Sequence, residues 1–189
     1  MLKLGLIGLD TSHVLGFARY LNDPEVDGHV SGGRIVAGFP GGSPDLPVSA
    51  DRVFGFTKEL RESFGVEILD SPEAVAQSCD AVFITSVDGR VHLEQLRAVA
   101  PFGKPVFIDK PFATSMADAE AMANLAREQN LPLMSCSSLR FAEAFQSALG
   151  AGENLIGLDV YGPMPVQAQQ PGLFWYGVHI AEMLVAALG

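Results

Sequence analysis

Six short, mainly apolar runs recur along the chain, and helical spacing follows most of them. The runs are apolar on consecutive residues rather than alternating with polar ones, which is typical of strands that are buried on both faces. Strands and helices that alternate in this way form βαβ units. The sequence therefore predicts an α/β fold, a doubly wound parallel sheet covered by helices. The runs are residues 4–7, 34–37, 66–69, 81–85, 106–108 and 133–135.

Helix signals fill the intervals between these runs. Ser71 precedes a proline at the first position of a predicted helix, and Ser115 with Asp118 forms a capping box. The predicted helices run from Thr11 or Ser12 to about Leu21, over 51–64, from Ser71 onward, over 91–100, from Ser115 onward and over 178–188.

The pattern changes after Arg140. A predicted strand over 155–161 is followed by a break rich in glycine and proline and by the helix over 178–188. We therefore predict two domains, a Rossmann-like domain over 1–137 and a partial α+β domain over 138–189. The last helix is apolar and has no evident partner surface, which favours a homo-oligomer.

Composition narrows the class of protein. The chain has 12 basic and 22 acidic residues and a net charge of −10, which argues against a nucleic-acid surface. No segment reaches the roughly 18 apolar residues that a membrane span needs. Cys79 and Cys136 have neither a disulfide-scaffold nor a metal-site spacing, so we expect a reducing, cytoplasmic location and no metal.

The first motif is the turn from Gly8 to His13, between the first strand and the first helix. A dinucleotide-binding turn has the pattern G-x-G-x-x-G, whose helix N-terminus attracts the pyrophosphate. Only the first fingerprint glycine, Gly8, is present. Asp10 and His13 replace the second and third.

Asp10 is unfavourable beside a phosphate, since two like charges about 4 Å apart cost about 1 kcal/mol even in water. Either Asp10 turns away or His13 offsets its charge. Alternatively, Asp10, Thr11 and Ser12 are only turn and cap residues. No acidic residue for the ribose follows the second strand, so the choice between NAD and NADP stays open.

The second motif is Gly103-Lys104-Pro105-Val106-Phe107-Ile108-Asp109-Lys110-Pro111. A buried strand carries Lys110 to its carboxyl end, where parallel sheets build their sites. There the ammonium can stabilise charge on a substrate oxygen. Asp109 can hold this ammonium in place.

These residues resemble the glucose–fructose oxidoreductase / inositol dehydrogenase / MocA (Gfo/Idh/MocA) family. Residues 103–111 match its G-K-x-V-x-x-E-K-P motif, with Asp109 for the glutamate. Residues 80–92, including Ser86, resemble its D-A-V-x-I-A-T-P-N-x-x-H motif without the proline and with one inserted residue. Leu139-Arg140-Phe141 resembles the R-F or R-Y that follows the sixth strand.

A last stretch resembles the family's D-x-G-x-H-x-x-D pattern. Gly177 and His179 match it, whereas Trp175 and Glu182 replace the two aspartates. His179 and Glu182 lie three residues apart on one helix, so Glu182 can orient the imidazole. The alternative places His179 in an aromatic cluster with the preceding Phe-Trp-Tyr.

The resemblance implies an NAD(P)-dependent oxidoreductase that transfers hydride to or from a hydroxyl-bearing carbon of a sugar, cyclitol or related polyol. It implies Lys110, His179, Asp109 and Glu182 as catalytic residues. The cofactor would contact Gly8, Leu9, Asp10, Thr11, Ser12, His13, Ser86 and Lys110. The family's members are longer than this chain. The alternative function is a non-catalytic binding or scaffold protein, or an inactive fragment, that has lost nicotinamide binding.

Overall fold

A six-stranded parallel sheet forms the centre of the protein. The computed structural model describes residues 1–151 and 155–189, and the strand order is β3-β2-β1-β4-β5-β6. All strands are parallel, and the order in which successive strands are added to the sheet reverses between β1 and β4, which is where ligands bind to doubly wound sheets. This confirms the predicted Rossmann-like α/β fold. The strands are β1 (Leu2–Ile7), β2 (Gly33–Phe39), β3 (Glu67–Ile68), β4 (Ala81–Ile84), β5 (Val106–Asp109) and β6 (Leu133–Cys136).

Eight α-helices are present among the described residues. Each predicted helix is found within a few residues of its predicted start. The helices are α1 (His13–Asn22), α2 (Pro47–Ala50), α3 (Val53–Phe64), α4 (Pro72–Ser78), α5 (His92–Val99), α6 (Met116–Glu128), α7 (Glu143–Gly150) and α8 (Gly177–Leu188).

Two hydrophobic clusters lie on opposite faces of the sheet. On one face, Val14 and Ala18 of α1 and Leu60 of α3 pack against β1 and β2. On the other face, α4, α5 and α6 cover β4 and β5. Because both faces are covered, the central strands are apolar on consecutive residues, which is the pattern that the sequence shows.

Two of the predicted capping residues accept a hydrogen bond from the first turn of their helix, and a third does not. The Ser71 and Ser115 side chains accept hydrogen bonds from the Ala74 and Asp118 amides, both at 3.1 Å. Ser12 makes no such bond at the start of α1. The Thr11 hydroxyl instead accepts from the His13 amide at 3.4 Å.

The segment after β6 departs from the prediction. Residues 155–161 form no strand, so the predicted strand there is wrong, whereas the assignment of 138–189 to a partial α+β domain stays a prediction. A strand needs a neighbouring strand to satisfy its backbone, and none lies beside this stretch in the described residues. The boundary at 137 stays a prediction. Exposed Val185 and Leu188 on α8 leave self-association a prediction as well. No described helix is both long and apolar enough to span a bilayer.

Candidate active site

A cleft of about 500 Å³ opens at the carboxyl end of β5. It lies between the first turns of α1 and α8 and the short turn after β6. Its walls are largely aromatic, and its polar groups come from separate elements. Those that bear on the chemistry are His13, Asp109, Lys110, Ser138, Tyr176 and His179.

Lys110 leaves the end of β5 and enters this cleft, as the motif predicts. Its Nζ lies 5.8 Å from the centre of the Trp175 ring and 6.0 Å from that of Tyr176. Burial lowers the pKa of Lys110, and the charge of Asp109 opposes this shift. A partly desolvated ammonium is well suited to stabilise charge that forms on a substrate oxygen.

Asp109 does not hold Lys110 by a hydrogen bond, contrary to the sequence-based interpretation. Its Oδ2 lies 2.6 Å from Nδ1 of His13. The strand end and the start of α1 bring these side chains together across 96 residues of sequence. His13, predicted only as a cofactor contact, therefore forms a histidine–carboxylate pair in the wall of the cleft.

His179 lies across the cleft on the first turn of α8. Its Nδ1 is 2.6 Å from Oγ of Ser137. Burial lowers the pKa of His179, and the nearby Lys110 and His13 side chains lower it further. The imidazole is therefore held in a neutral form that can accept a proton.

Glu182 does not orient this imidazole, so that interpretation is wrong. One of its carboxylate oxygens accepts a hydrogen bond from Nη1 of Arg140 at 3.1 Å. Sequence patterns do not single out Ser137 as the partner of His179, since the two residues are 42 positions apart. The alternative that His179 belongs to an aromatic cluster is partly right as well, because the Tyr176 ring packs edge-on against His179.

The turn between β1 and α1 is largely closed to solvent. Leu9 packs in the core, and Thr11 and Ser86 are buried, whereas Ser12 is exposed. Gly8 has φ +87°, and a Cβ there would lie 2.0 Å from Oγ of Ser86. Gly8 is therefore required by the close approach of Ser86, two residues after the end of β4, whether or not a phosphate binds.

The side chain of Asp10 turns into the protein. Its Oδ2 accepts a hydrogen bond from Oγ of Ser49 at 2.6 Å, and its Oδ1 accepts one from the Val87 amide at 2.9 Å. Burial raises the pKa of Asp10 and outweighs the lowering effect of these hydrogen bonds. Of the two alternatives, the structure thus shows Asp10 turned away.

Residues 40–50, which we call the covering segment, run from the end of β2 across this turn. The carbonyls of Phe39 and Pro40 accept hydrogen bonds from the Gly8 and Leu9 amides. Fully buried Leu46 forms a small apolar cluster with Val87 and Trp175. Trp175 thus connects the covering segment to the lysine side of the cleft.

A charged network joins the covering segment to the rest of the protein. Arg90 donates hydrogen bonds to the carboxylates of both Asp88 and Asp45. Buried Gln170 donates to Asp88 at 3.1 Å. Burial alone would raise the pKa of Asp88, but hydrogen bonds from Arg90 and Ser43 outweigh it and lower the pKa.

A dinucleotide fits this site only at one end. The cleft beside Lys110 is open, whereas Gly8 to Thr11 are buried beside the covering segment and Ser12 and His13, at the start of α1, reach solvent. Within 1–151 and 155–189, no group of three or more His, Cys, Asp and Glu side chains is arranged to hold a metal ion.

Part of the chain, including Asp109 and Lys110 of this site, matches a known family. Residues 50–136 match the model GFO_IDH_MocA, described as "Oxidoreductase family, NAD-binding Rossmann fold". A protein of Salmonella typhimurium named "Putative oxidoreductase YceM" is 36% identical over 91 residues, which are 47% of this chain and 29% of that protein.

Solved structures share the fold. A dehydrogenase (MviM) from Clostridium difficile has a TM-score of 0.60 at 23% identity, over 79% of this chain and 44% of its own. A structure from Desulfitobacterium hafniense, described as a "putative nadph-dependent oxidoreductase", has a TM-score of 0.71 at 19% identity. The match covers 100% of this chain and 55% of the chain in that structure. Scyllo-inositol dehydrogenase from Lactobacillus casei, solved with NAD(H) and scyllo-inositol, has a TM-score of 0.59 at 19% identity. The match covers 79% of this chain and 40% of the chain in that structure.

This chain therefore spans about half, or less, of the length of these relatives. The family match covers β3 to β6 and includes the Asp109-Lys110-Pro111 motif. The resemblance seen in the sequence is confirmed: residues 50–136 match the model of the Gfo/Idh/MocA oxidoreductase family, and the sheet shares the Rossmann fold of the solved dehydrogenases.

Proposed function

We propose that this protein takes part in NAD(P)-dependent oxidation or reduction at a hydroxyl-bearing carbon of a sugar, cyclitol or related polyol. The observation that carries the proposal is the placement of Lys110 and His179 in one cleft of about 500 Å³. Clefts of this size accept small molecules. The polyol class also draws support from the Lactobacillus casei relative, whose structure holds scyllo-inositol.

Each side chain has a distinct role in this proposal. His179 takes the proton of the substrate hydroxyl at Nε2, because Ser137 engages Nδ1. Lys110 donates a hydrogen bond to the same oxygen as it becomes a carbonyl. The nicotinamide cofactor, when bound, accepts or supplies the hydride.

A titration with NADH and with NADPH tests the proposal first. Binding can be followed by nucleotide fluorescence and by quenching of Trp175, the only tryptophan in the chain. Micromolar binding of either nucleotide supports the proposal and identifies the preferred cofactor. Absence of binding at millimolar concentration contradicts it.

Lys110→Ala then tests the chemistry. We expect nearly unchanged nucleotide affinity and a turnover at least a hundredfold lower in a polyol screen, since the lost group acts on the developing charge. Lys58→Ala on the exposed side of α3 is the matched control. Full turnover in Lys110→Ala would refute the assignment.

One observation favours a second candidate function, a protein that retains the fold without binding a dinucleotide. The covering segment lies beside the pyrophosphate turn, and Asp10 is held there by two hydrogen bonds. The same titration distinguishes the two functions, because only the oxidoreductase requires nucleotide binding.

A further inference from the structure

The cleft holds two imidazoles on different elements and one ammonium. His13 is at the start of α1, His179 is on α8, and Lys110 follows β5. Lys110 and His13 both lie close enough to His179 to lower its pKa. Three groups that can move or stabilise a proton thus surround one open volume.

The His13–Asp109 pair arises from two departures from the family's motifs. His13 stands at the third glycine of the fingerprint, and Asp109 stands at the glutamate before the lysine. The two replacements meet at 2.6 Å, with the carboxylate largely buried and 41% of the His13 side chain exposed. An exposed imidazole held by a buried carboxylate is a common arrangement for an acid–base group.

The hydrogen bonds fix which ring nitrogens are free. Asp109 engages Nδ1 of His13, and Ser137 engages Nδ1 of His179. Neither Nε2 takes part in a hydrogen bond within residues 1–151 and 155–189. An ionised carboxylate only accepts, so Nδ1 of His13 carries the proton and its Nε2 is a base. The Ser137 hydroxyl can donate or accept, so His179 can hold its proton on either nitrogen.

We propose that His13, held by Asp109, is a second acid–base group of this cleft, and that with Lys110 and His179 it catalyses proton exchange at the carbon next to a carbonyl of an α-hydroxy ketone or aldehyde. This activity requires no dinucleotide. It is therefore compatible with the covering segment in the position that the structure shows.

The reaction balances without an oxidant or a reductant. Nε2 of His13 takes the proton from the hydroxyl-bearing carbon, and the electron pair of that C–H bond becomes the second bond of an enediol. The carbonyl oxygen gains the charge, which Lys110 stabilises, and a proton, which Nε2 of His179 gives. Nε2 of His13 returns its proton to either carbon of the enediol, and Nε2 of His179 takes back the hydroxyl proton of the other carbon, which restores the carbonyl at its first position or at the neighbouring one.

Isotope exchange in D2O tests this activity on the full chain with no nucleotide added. The probes are hydroxyacetone, dihydroxyacetone, D-fructose and 2-keto-myo-inositol, each followed by proton NMR. We expect loss of the signal of the hydrogen next to the carbonyl in at least one probe, faster than in buffer. Absence of enzyme-dependent exchange in all four probes overturns the proposal.

Variants then assign the activity to the residues. His13→Gln and Lys110→Met should each reduce the exchange rate by about 10²-fold or more. Asp109→Asn should cause a smaller loss, and Asp109→Glu should retain most of the rate, because a carboxylate is kept. His29→Gln, outside the cleft lining, is the matched histidine control. Each variant is accepted only if its far-UV circular dichroism matches that of the parent.

Retention of the full exchange rate in His13→Gln would also overturn the proposal. This result is distinguishable from failure of the oxidoreductase function. Exchange without nucleotide binding supports the proton-transfer activity alone, whereas nucleotide-dependent turnover without exchange supports the oxidoreductase alone.

Discussion

At the scale of single residues, Gly8 shows how one position serves the fold independently of a ligand. Its φ of +87° is rarely adopted by residues with a side chain, and a Cβ would lie 2.4 Å from the Ser86 amide nitrogen. The backbone at Ser86 directly follows Thr85, whose amide donates a hydrogen bond to the Ile7 carbonyl, so it cannot move away without disturbing the pairing of β4 with β1. The first fingerprint glycine is thus constrained by packing between two strands.

Gly8→Ala should therefore destabilise the protein by about 3 kcal/mol or more, at the upper end of single-substitution effects. The measurement is urea unfolding followed by circular dichroism. Gly55→Ala on α3 is the control, because a Cβ there meets nothing within 4 Å. It should change stability by at most about 1 kcal/mol, in the stabilising direction. Equal effects of the two substitutions would contradict this account.

Arg90 neutralises Asp88, whose side chain is only 1% exposed. Arg90→Met leaves that carboxylate buried without its cation. It should cost about 2–3 kcal/mol at neutral pH, because a third of the Arg90 side chain is in solvent and the pair is not fully buried. Arg97→Ala, which breaks an exposed pair with Glu94, should cost less than about 1 kcal/mol.

The effect of Arg90→Met should depend on pH. In the parent protein the pKa of Asp88 is lowered on folding, so this residue contributes stability above its ordinary pKa of about 4 and loses it in acid. Without Arg90, burial raises that pKa instead. The difference in unfolding free energy between parent and variant should therefore be large at pH 7 and shrink towards pH 3. If the difference in unfolding free energy between parent and Arg90→Met does not vary with pH, the proposed dependence on the Asp88 charge is refuted.

At the scale of elements, the covering segment decides whether the turn is accessible. Its position depends on the Ser49–Asp10 hydrogen bond and on burial of Leu46. Asp10→Gly restores the second fingerprint glycine and removes both the carboxylate and its contact with Ser49. We therefore expect Asp10→Gly to bind NADH or NADPH at least tenfold more tightly than the parent, a change of about 1.4 kcal/mol.

Ser49→Ala should also strengthen nucleotide binding, but by less than Asp10→Gly does, since the Asp10 carboxylate remains. Ser63→Ala, on an exposed part of α3, is the control and should leave affinity unchanged. Affinity is measured by nucleotide fluorescence. Unaltered or weaker binding by Asp10→Gly would show that the covering segment does not limit access to the turn.

The elements also show what a sequence can and cannot predict. The apolar runs predict all six strands, because strands buried on both faces need apolar side chains on consecutive residues. Residues 155–161 have a similar local pattern, yet they form no strand, since pairing depends on a neighbour far along the chain. For the same reason, Lys110 and His179 could be predicted from motifs, whereas the Asp109–His13 and Ser137–His179 contacts could not.

At the scale of the whole molecule, contacts near the cleft join the segment after β6 to the sheet. Trp175 packs on Leu46 and Val87, and Gln170 donates a hydrogen bond to Asp88. These contacts bury apolar area and satisfy polar groups at the same time. They favour one cooperative unit over two domains that unfold independently.

We therefore expect Trp175 fluorescence and far-UV circular dichroism to report the same urea midpoint. Leu46→Ala removes a fully buried side chain from the Trp175 cluster and should cost about 2–5 kcal/mol, which lowers both midpoints together. Val30→Ala, at an exposed position, is the control and should lower neither midpoint appreciably. A fluorescence transition that precedes the circular dichroism transition would show that the segment detaches first. His179 would then leave the cleft before the sheet unfolds, and both proposed activities should be lost at that lower urea concentration.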